Sequence, residues 1–245
     1  MFHLTNVYFC DNLINMNKLY KYWQGVSMDV REILKYVDHT LLKAFATWEE
    51  IKLLCDEAIE YKTASVCVPP CYIKKINETY ADKINICTVI GFPLGYSVTE
   101  AKISECEQAI KDGASEIDMV INIADVKNKE YKKVEEEISA VKKVTGNRIL
   151  KVIIETCYLT EEEKIAMCKA VTNAGADYIK TSTGFGTGGA DLEDIKLFKK
   201  YLGEGVRIKA SGGIKTLEAM ETFINEGCSR IGTSSAIKMI NDAQR

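Results

Sequence analysis

The 245-residue sequence has very few histidines, only His3 and His39. Histidine is a frequent ligand of zinc, and the nine cysteines contain no C-x-x-C pair that could take its place. We therefore expect no metal site, which leaves Lys, Asp, Glu, Ser, Thr and Cys side chains to carry any chemistry. Scattered cysteines in an odd number are typical of a reducing compartment rather than of a disulfide framework.

The sequence also lacks long apolar runs and an excess of either charge. No stretch reaches the roughly 18 apolar residues of a membrane-spanning helix. The 32 Lys and Arg nearly balance the 35 Asp and Glu, without long blocks of one sign. We expect neither a membrane nor a nucleic-acid partner. Residues 1–27 lack the apolar core of a signal peptide, so we expect a cytoplasmic protein with a flexible N-terminal extension, 1–27, before one domain, 28–245.

What is present is an alternation of short β-branched segments with longer amphipathic ones, a pattern typical of βαβ units. Strands are predicted at Asp38–Leu42, Ala64–Pro69, Asn85–Gly91, Ser115–Asn122, Ile149–Glu155, Asp177–Thr181, Val206–Ala210 and Ser229–Thr233. Helices are predicted at Trp48–Tyr61, Val98–Lys111, Tyr131–Val144, Glu161–Asn173, Leu192–Leu202 and Leu217–Asn225. Eight such units indicate an α/β protein, a single (β/α)8 TIM barrel with parallel strands. A doubly wound open sheet is the alternative.

Three helix-to-strand crossings repeat one pattern, in which a glycine follows the helix and the strand comes next. The glycines suit the left-handed conformation that ends many helices. Five residues after them stand Asp118, Lys180 and Gly232. Equivalent units would bring these three residues to one height in a barrel.

Lys180 lies near the carboxyl end of an apolar strand, where barrel enzymes place their catalytic groups. Lys209 ends the next strand, and adjacent strands lie about 4.8 Å apart. Two ammonium groups so placed each disfavour the charge of the other, which favours a neutral amine able to form a Schiff base. A structural ion pair at the barrel rim is the alternative for either lysine.

Asp118 supplies a carboxylate close to both lysines. Forming an imine and cleaving a carbon–carbon bond both move protons, and an aspartate can relay them directly or through water. A simple counter-ion role for Asp118 is the alternative.

Glycine and hydroxyl clusters follow the last three predicted strands. Backbone N–H groups at glycines and at helix N-termini favour anions, and barrels often hold phosphate in the loops after their last two strands. These clusters predict a phosphate site formed by Thr183, Gly184, Gly212, Gly213, Gly232, Ser234 and Ser235. Tight turns are the alternative for any one cluster.

Other polar residues also fall near strand ends. Asp38, Thr40 and Cys67 are candidate substrate contacts, although a buried cysteine is more often a small apolar residue. Lys151 and Glu155 share strand parity and could form a charged scaffold layer with Glu116 and Arg207. Lys151 is also the second candidate for the reactive amine.

Six motifs in one order give the chain a resemblance to a known family. They begin at Asp38 (DHTLL), Val89 (VIGFPLG), Glu116 (EIDMVI), Leu150 (LKVIIET), Tyr178 (YIKTSTG) and Ile208 (IKASGGI). From about Met28 onward the sequence resembles the deoxyribose-phosphate aldolases. The resemblance implies a cofactor-free lyase that acts on a phosphosugar and releases acetaldehyde and glyceraldehyde 3-phosphate. We also expect a homo-oligomer, a dimer or a tetramer.

The resemblance also implies residue roles. Lys180 matches the Schiff-base lysine, Lys209 the lysine that perturbs it, and Asp118 the proton-relay aspartate. Some members have a lysine after the glycine of the K-T-S-T-G motif, where this chain has Phe185, so we expect phosphate binding to depend on backbone donors and hydroxyls. A different Schiff-base aldolase, a phosphosugar isomerase or a non-catalytic sugar-phosphate-binding regulator are the alternatives.

Overall fold

The computed structural model describes residues 27–243, in which eight parallel strands close into a barrel in chain order. The strands are β1 Val37–Thr40, β2 Ser65–Val68, β3 Ile86–Ile90, β4 Glu116–Val120, β5 Ile149–Ile153, β6 Tyr178–Lys180, β7 Arg207–Ser211 and β8 Arg230–Thr233. All eight predicted strands are present, shifted by a residue or two at their ends. The last strand pairs with the first, which excludes the open sheet.

Helices surround the barrel. They are α1 Val30–Leu34, α2 Trp48–Tyr61, α3 Ile73–Tyr80, α4 Thr99–Asp112, α5 Ile123–Lys127, α6 Tyr131–Thr145, α7 Glu161–Asn173, α8 Leu192–Tyr201, α9 Leu217–Asn225 and α10 Ala236–Ala243. The six predicted helices are confirmed, and four further helices, α1, α3, α5 and α10, were not predicted from the sequence. None of the helices within the described range is long and apolar enough to cross a membrane.

Local sequence explains where the helices begin and end. Thr47 and Thr160 each form a capping box with a glutamate three residues later, which satisfies backbone N–H groups of the first turns of α2 and α7. Gly113, Gly175 and Gly227 have φ angles of 116°, 71° and 112°, the left-handed region that favours glycine. The repeated glycine-to-strand pattern is thereby confirmed.

Side chains alternate along each strand between two environments. Outward-facing residues such as Ile117, Val152 and Ile179 are buried in one apolar core between the barrel and its helices. Inward-facing residues fill the barrel itself. Many of these are charged, which is unusual because buried charges are costly unless they are paired.

The strand registers arrange the interior in layers. In such barrels a layer takes its four side chains from alternate strands, with a stagger of roughly one residue per strand. From the amino end upward, the layers that follow from the registers are Ser65, Glu116, Tyr178 and Arg230; Asp38, Cys87, Lys151 and Lys209; Cys67, Asp118, Lys180 and Gly232; Thr40, Val89, Ile153 and Ser211. Asp118, Lys180 and Gly232 therefore share one layer, as their common spacing from glycine predicts.

The predicted N-terminal extension lies outside the described residues apart from Ser27. The Ser27 backbone N–H and hydroxyl and the Met28 N–H all donate to the carboxylate of Glu221 on α9. Burial raises the pKa of Glu221, but these hydrogen bonds outweigh it and leave that pKa below its ordinary value. The chain is thus tied to the barrel from Ser27 onward.

Candidate active site

Three carboxylates and four cationic side chains project into the first three layers of the barrel interior, counted from the amino end. They are Asp38, Glu116, Asp118, Lys151, Lys180, Lys209 and Arg230, all buried. They come from six different strands, so the closed barrel is what brings them together. The cluster carries one more cation than carboxylates when every group is ionised.

Asp118 is the centre of this cluster. Its Oδ2 accepts hydrogen bonds from Lys180 Nζ and Lys209 Nζ, each at 2.8 Å, and its Oδ1 accepts one from Lys151 Nζ at 2.8 Å. Burial raises the pKa of Asp118, but the three lysines outweigh burial and hold it well below its ordinary value. Asp118 is therefore a carboxylate at neutral pH.

Lys209 and Lys151 are held as cations. Lys209 binds Asp38 as well as Asp118, and Lys151 also binds Glu116 at 2.6 Å. Burial alone would lower the pKa of both lysines, but the carboxylates around them outweigh it and raise both above the ordinary value. Both lysines are fully buried and neither reaches the cavity at the barrel mouth.

Lys180 differs from Lys151 and Lys209 in its ion-pair partners and in its access to the cavity. Its carboxylate partner is Asp118, whose Oδ2 it shares with Lys209. It is 3% exposed and lines the cavity at the carboxyl ends of the strands. Lys180 is therefore the amine of this cluster that a substrate can reach. Loss of one proton from the four cations of the cluster would leave three cations for its three carboxylates.

The cavity above Lys180 has a volume of about 250 Å³, the size of a small metabolite rather than of a dinucleotide. Among the residues predicted to bind substrate or phosphate, the cavity wall contains Thr40, Thr183, Gly184, Gly212, Gly213, Gly232, Ser234 and Ser235. Loops after β6, β7 and β8 therefore converge on one space.

Glycine is required at several of these positions. Gly184, Gly212 and Gly213 have φ angles of 86°, 85° and 75°, where other residues are strained. At Gly232 a Cβ atom would lie 2.8 Å from Ser211 Cβ and 3.1 Å from Lys209 Cε. The glycines let the backbone come close to a ligand and to the lysine cluster.

Asp38 and Cys67 do not line the cavity. Asp38 lies one layer lower, where it accepts hydrogen bonds from Lys209, Arg230 and Ser65. Burial raises its pKa, but Lys209, Lys151 and Arg230 outweigh burial and lower it below the ordinary range. Cys67 is fully buried in the layer of Lys180. A direct substrate contact of either residue stays a prediction.

The expected charged scaffold layer is only partly correct. Lys151 and Glu116 do meet inside the barrel, but Arg207 is exposed and lies over the Tyr178 ring, 4.2 Å from its centroid. Arg230 binds Glu116 instead, at 3.0 Å. Glu155 lies beyond the end of β5, in the loop at the mouth.

Sequence reasoning missed two cations on the cavity wall. Lys43 follows β1 and Lys215 follows β7, and both are exposed. Phe185 has no charge, so the sequence suggested that neutral donors alone hold the phosphate. Lysines in loops directly after barrel strands were the signal that could have identified these two residues.

Cys67, Cys87 and Asp118 place atoms of types that bind metals within 4.8 Å of one another. Lys151 Nζ lies 3.2 Å from Cys87 Sγ and 2.8 Å from Asp118 Oδ1. An ammonium group therefore already lies among these donors and supplies the positive charge.

A closed (β/α)8 barrel with a reachable lysine, a second lysine and a shared aspartate below its mouth is the arrangement of a Schiff-base lyase. A family profile described as DeoC/LacD family aldolase matches residues 32–236. The chain belongs to this aldolase family.

Individual relatives agree with that assignment. The deoxyribose-phosphate aldolase of Clostridium botulinum (strain Alaska E43 / Type E3) is 72% identical over 213 residues, covering 87% of this chain and 96% of the relative. The deoxyribose-phosphate aldolase of Clostridioides difficile (strain 630) is 57% identical, covering 87% and 97%. The tetrameric deoxyribose phosphate aldolase of Aeropyrum pernix matches with a TM-score of 0.81 and 29% identity, covering 93% and 97%. An aldolase called QR15 matches with a TM-score of 0.82 and 39% identity, covering 86% and 95%.

Proposed function

We propose that the chain is a deoxyribose-phosphate aldolase, a class I aldolase that cleaves 2-deoxy-D-ribose 5-phosphate to acetaldehyde and D-glyceraldehyde 3-phosphate. One observation carries the proposal: of the three lysines bound to Asp118, Lys180 alone lines the cavity. The substrate offers an aldehyde for this amine and a phosphate for the loops above it.

The reaction follows from this geometry. The neutral Lys180 amine attacks the C1 aldehyde of the open-chain sugar, and loss of water from the carbinolamine gives an imine. Loss of the C3 hydroxyl proton then breaks the C2–C3 bond, releases glyceraldehyde 3-phosphate and leaves the electron pair in an enamine. Protonation at C2 and hydrolysis release acetaldehyde and restore Lys180.

Asp118 contacts both Lys180 and Lys209, so it is placed to take the proton from Lys180 and to return it as water leaves, directly or through water. Lys209 stays charged and places a positive charge next to the Lys180 amine. The reactive amine of Lys180, the proton relay by Asp118 and the positive charge of Lys209 are all part of the proposal.

We also propose where the substrate phosphate binds. Gly184, Gly212, Gly213, Ser234 and Ser235 offer backbone N–H groups and hydroxyls around the cavity. Lys43 and Lys215 add positive charge from the loops after β1 and β7. Phosphate binding therefore does not need a lysine at position 185.

A coupled assay for acetaldehyde tests the activity. We expect wild type to release acetaldehyde and glyceraldehyde 3-phosphate in equal amounts, and Lys180→Met to fold but lose at least about a thousandfold in rate. Lys200→Met, on the surface of α8, is the matched control. An isomerase would release no acetaldehyde, and a regulator would bind the sugar without turnover; either result would overturn the proposal.

The proposal extends to assembly and location. We expect a homo-oligomer, because the A. pernix relative is described as tetrameric. Light scattering that finds a monomer across micromolar concentrations would contradict the assembly.

The eight cysteines in the described part of the chain are free thiols, as a cytoplasmic, reducing environment favours.

A further inference from the structure

Glu155 is a buried carboxylate next to the loop that lines the cavity, and the chemistry above does not use it. It lies two residues after the end of β5 and is 2% exposed. Its backbone has φ 51° and ψ 67°, the left-handed conformation that residues other than glycine rarely adopt. Strain of this kind persists where the surrounding structure enforces it, often at functional sites.

Apart from the Cys157 thiol, whose Sγ lies 3.9 Å from Oε1, the hydrogen-bond partners of this carboxylate lie in the next loop, at Thr183. The Thr183 hydroxyl donates to Glu155 Oε2, and the Thr183 N–H lies 3.2 Å from Oε1 and 3.3 Å from Oε2. Within residues 27–243 no lysine or arginine forms an ion pair with Glu155. A buried carboxylate without a cation is costly unless such hydrogen bonds satisfy it.

Thr183 links the Glu155 carboxylate to the rest of its own loop through hydrogen bonds. Its hydroxyl has one proton, which goes to Glu155, so Oγ1 is left to accept the N–H of Phe185 at 3.0 Å. Thr183, Gly184 and Phe185 all line the cavity above Lys180. The path of this segment at the cavity therefore depends on a carboxylate contributed by the neighbouring loop.

We propose that Glu155 is a positioning residue for phosphate recognition, which acts through Thr183 on the segment 183–185. By fixing Thr183, it sets the direction of the backbone N–H groups that face the substrate phosphate. The inference rests on the proposed function, since it needs the phosphorylated sugar to be the substrate. Lys180 and its partners lie outside this contact, so the imine chemistry itself is expected to be unaffected.

The experiment compares 2-deoxyribose 5-phosphate with unphosphorylated 2-deoxyribose. For Glu155→Ala we expect KM for the phosphorylated sugar to rise by about tenfold or more, with kcat within about threefold. For unphosphorylated 2-deoxyribose we expect kcat/KM to stay within about threefold of wild type. Glu155→Gln keeps an oxygen that accepts from Thr183 and should recover most of the loss.

Two further variants separate the carboxylate from the strain and from a general loss of structure. Glu155→Gly suits the left-handed backbone, so it should melt no lower than Glu155→Ala and show the same rise in KM. Thr183→Val should reproduce that rise, and the double variant Glu155→Ala, Thr183→Val should add little to it, because both changes break one linkage. Thr183→Ser, which keeps the hydroxyl, is the control.

Equal losses on both sugars, or additive effects in the double variant, would overturn the positioning role. If Glu155→Ala does not fold, the Thr183 variants decide the question alone. A wild-type enzyme without preference for the phosphorylated sugar would overturn the proposed function together with this inference. A wild-type preference that Glu155→Ala and Thr183→Val both retain would overturn the inference alone.

Discussion

Lys209 is distinguished from Lys180 by the number of carboxylates that balance its charge. It contacts Asp38 and Asp118, and its pKa is raised above the ordinary value because these contacts outweigh burial. Lys209 and Lys180 both lie 2.8 Å from the same oxygen of Asp118. Lys209 is therefore a permanent positive charge within a few ångströms of the Lys180 amine.

Replacing Lys209 with Met should slow imine formation by changing charge. Lys209 and Lys180 share one oxygen of Asp118, so removing the Lys209 cation changes the charge balance around the Lys180 amine. We expect single-turnover imine formation to fall by roughly 100- to 1000-fold at pH 7 and to recover in part at alkaline pH. The measurement is the rate against pH, with Lys209→Arg as the control that keeps the charge. A variant slower by one factor at every pH would show that Lys209 acts as a proton donor or ligand instead.

The three residues of the proposed catalytic group could be predicted from sequence because their positions follow from regular spacing. Asp118 and Lys180 stand five residues after a helix-ending glycine, and Lys209 pairs directly with Lys180 in register. The partners of Asp38 could not be predicted in this way. These partners depend on which side chains of β7 and β8 the closed barrel brings next to β1, and no local sequence pattern specifies that.

The end of β8 shows why a glycine belongs in the layer of Lys180. Gly232 occupies the place where Cys67, Asp118 and Lys180 each contribute a side chain. A Cβ there would contact Ser211 and Lys209. The missing side chain leaves room between the lysine cluster and the cavity.

Gly232→Ala should therefore impair catalysis more than folding. The new methyl group displaces the side chains of Ser211 and Lys209, and misplacement of catalytic groups is costly in rate. We expect kcat/KM to fall by about tenfold to a hundredfold, with a melting temperature within about 4 °C of wild type. Steady-state kinetics and calorimetry on the same preparation provide the comparison. Wild-type kinetics in the variant would mean that the cavity has more space than the structure shows.

The loops after β1 and β7 should carry the charge-dependent part of phosphate binding. We expect Lys43→Gln and Lys215→Gln each to raise KM for 2-deoxyribose 5-phosphate by about three- to tenfold, an effect that weakens with added salt. Neither change should alter kcat/KM for unphosphorylated 2-deoxyribose. Lys62→Gln, at the end of α2 away from the cavity, is the matched control. Equal KM values in all three variants would show that neutral donors hold the phosphate.

Elements with a clear period were predicted well, and short ones were not. The helix from Trp48 to Tyr61 has a capping box and a regular apolar stripe, and its bounds agree with the prediction. The helices Ile73–Tyr80 and Ile123–Lys127 have only eight and five residues, too few for a periodic pattern to stand out. Their buried residues, such as Ile73, Ile76 and Val126, pack into the apolar core around the barrel.

The domain that starts near Met28 should be sufficient for fold and turnover. The family match begins at residue 32, and Glu221 holds the chain at Ser27 and Met28. In a chain that starts at Met28, the new α-ammonium group replaces an N–H that lies 2.7 Å from Glu221 Oε1, so an ion pair compensates for the loss of Ser27. We expect a melting temperature within about 4 °C and activity within about twofold of the full chain.

Glu221→Gln in the truncated chain is the control, since it removes the ion pair and should lower the melting temperature further. An insoluble truncated chain, or a folded one with most activity lost, would show that residues before Met28 pack on the barrel.

The whole fold could be predicted because eight repeats of one unit leave few closed arrangements. The sequence predicted only part of the ion-pair cluster inside the barrel, the pairing of Lys151 with Glu116, because the layers combine residues from alternate strands far apart in the chain. The sequence also left open which of several buried lysines a substrate can reach. The cavity decides this, because its floor lies above Lys151 and Lys209 and level with Lys180.

Reductive trapping of the imine tests most directly that Lys180 is the reactive amine. Wild-type protein is treated with borohydride in the presence of acetaldehyde, or of 2-deoxyribose 5-phosphate, and the modified residue is located by peptide mass mapping. Our account predicts one stable adduct, on Lys180, and none in Lys180→Met. An adduct on Lys151 or Lys209, or cleavage of the sugar without any trapped adduct, would contradict it.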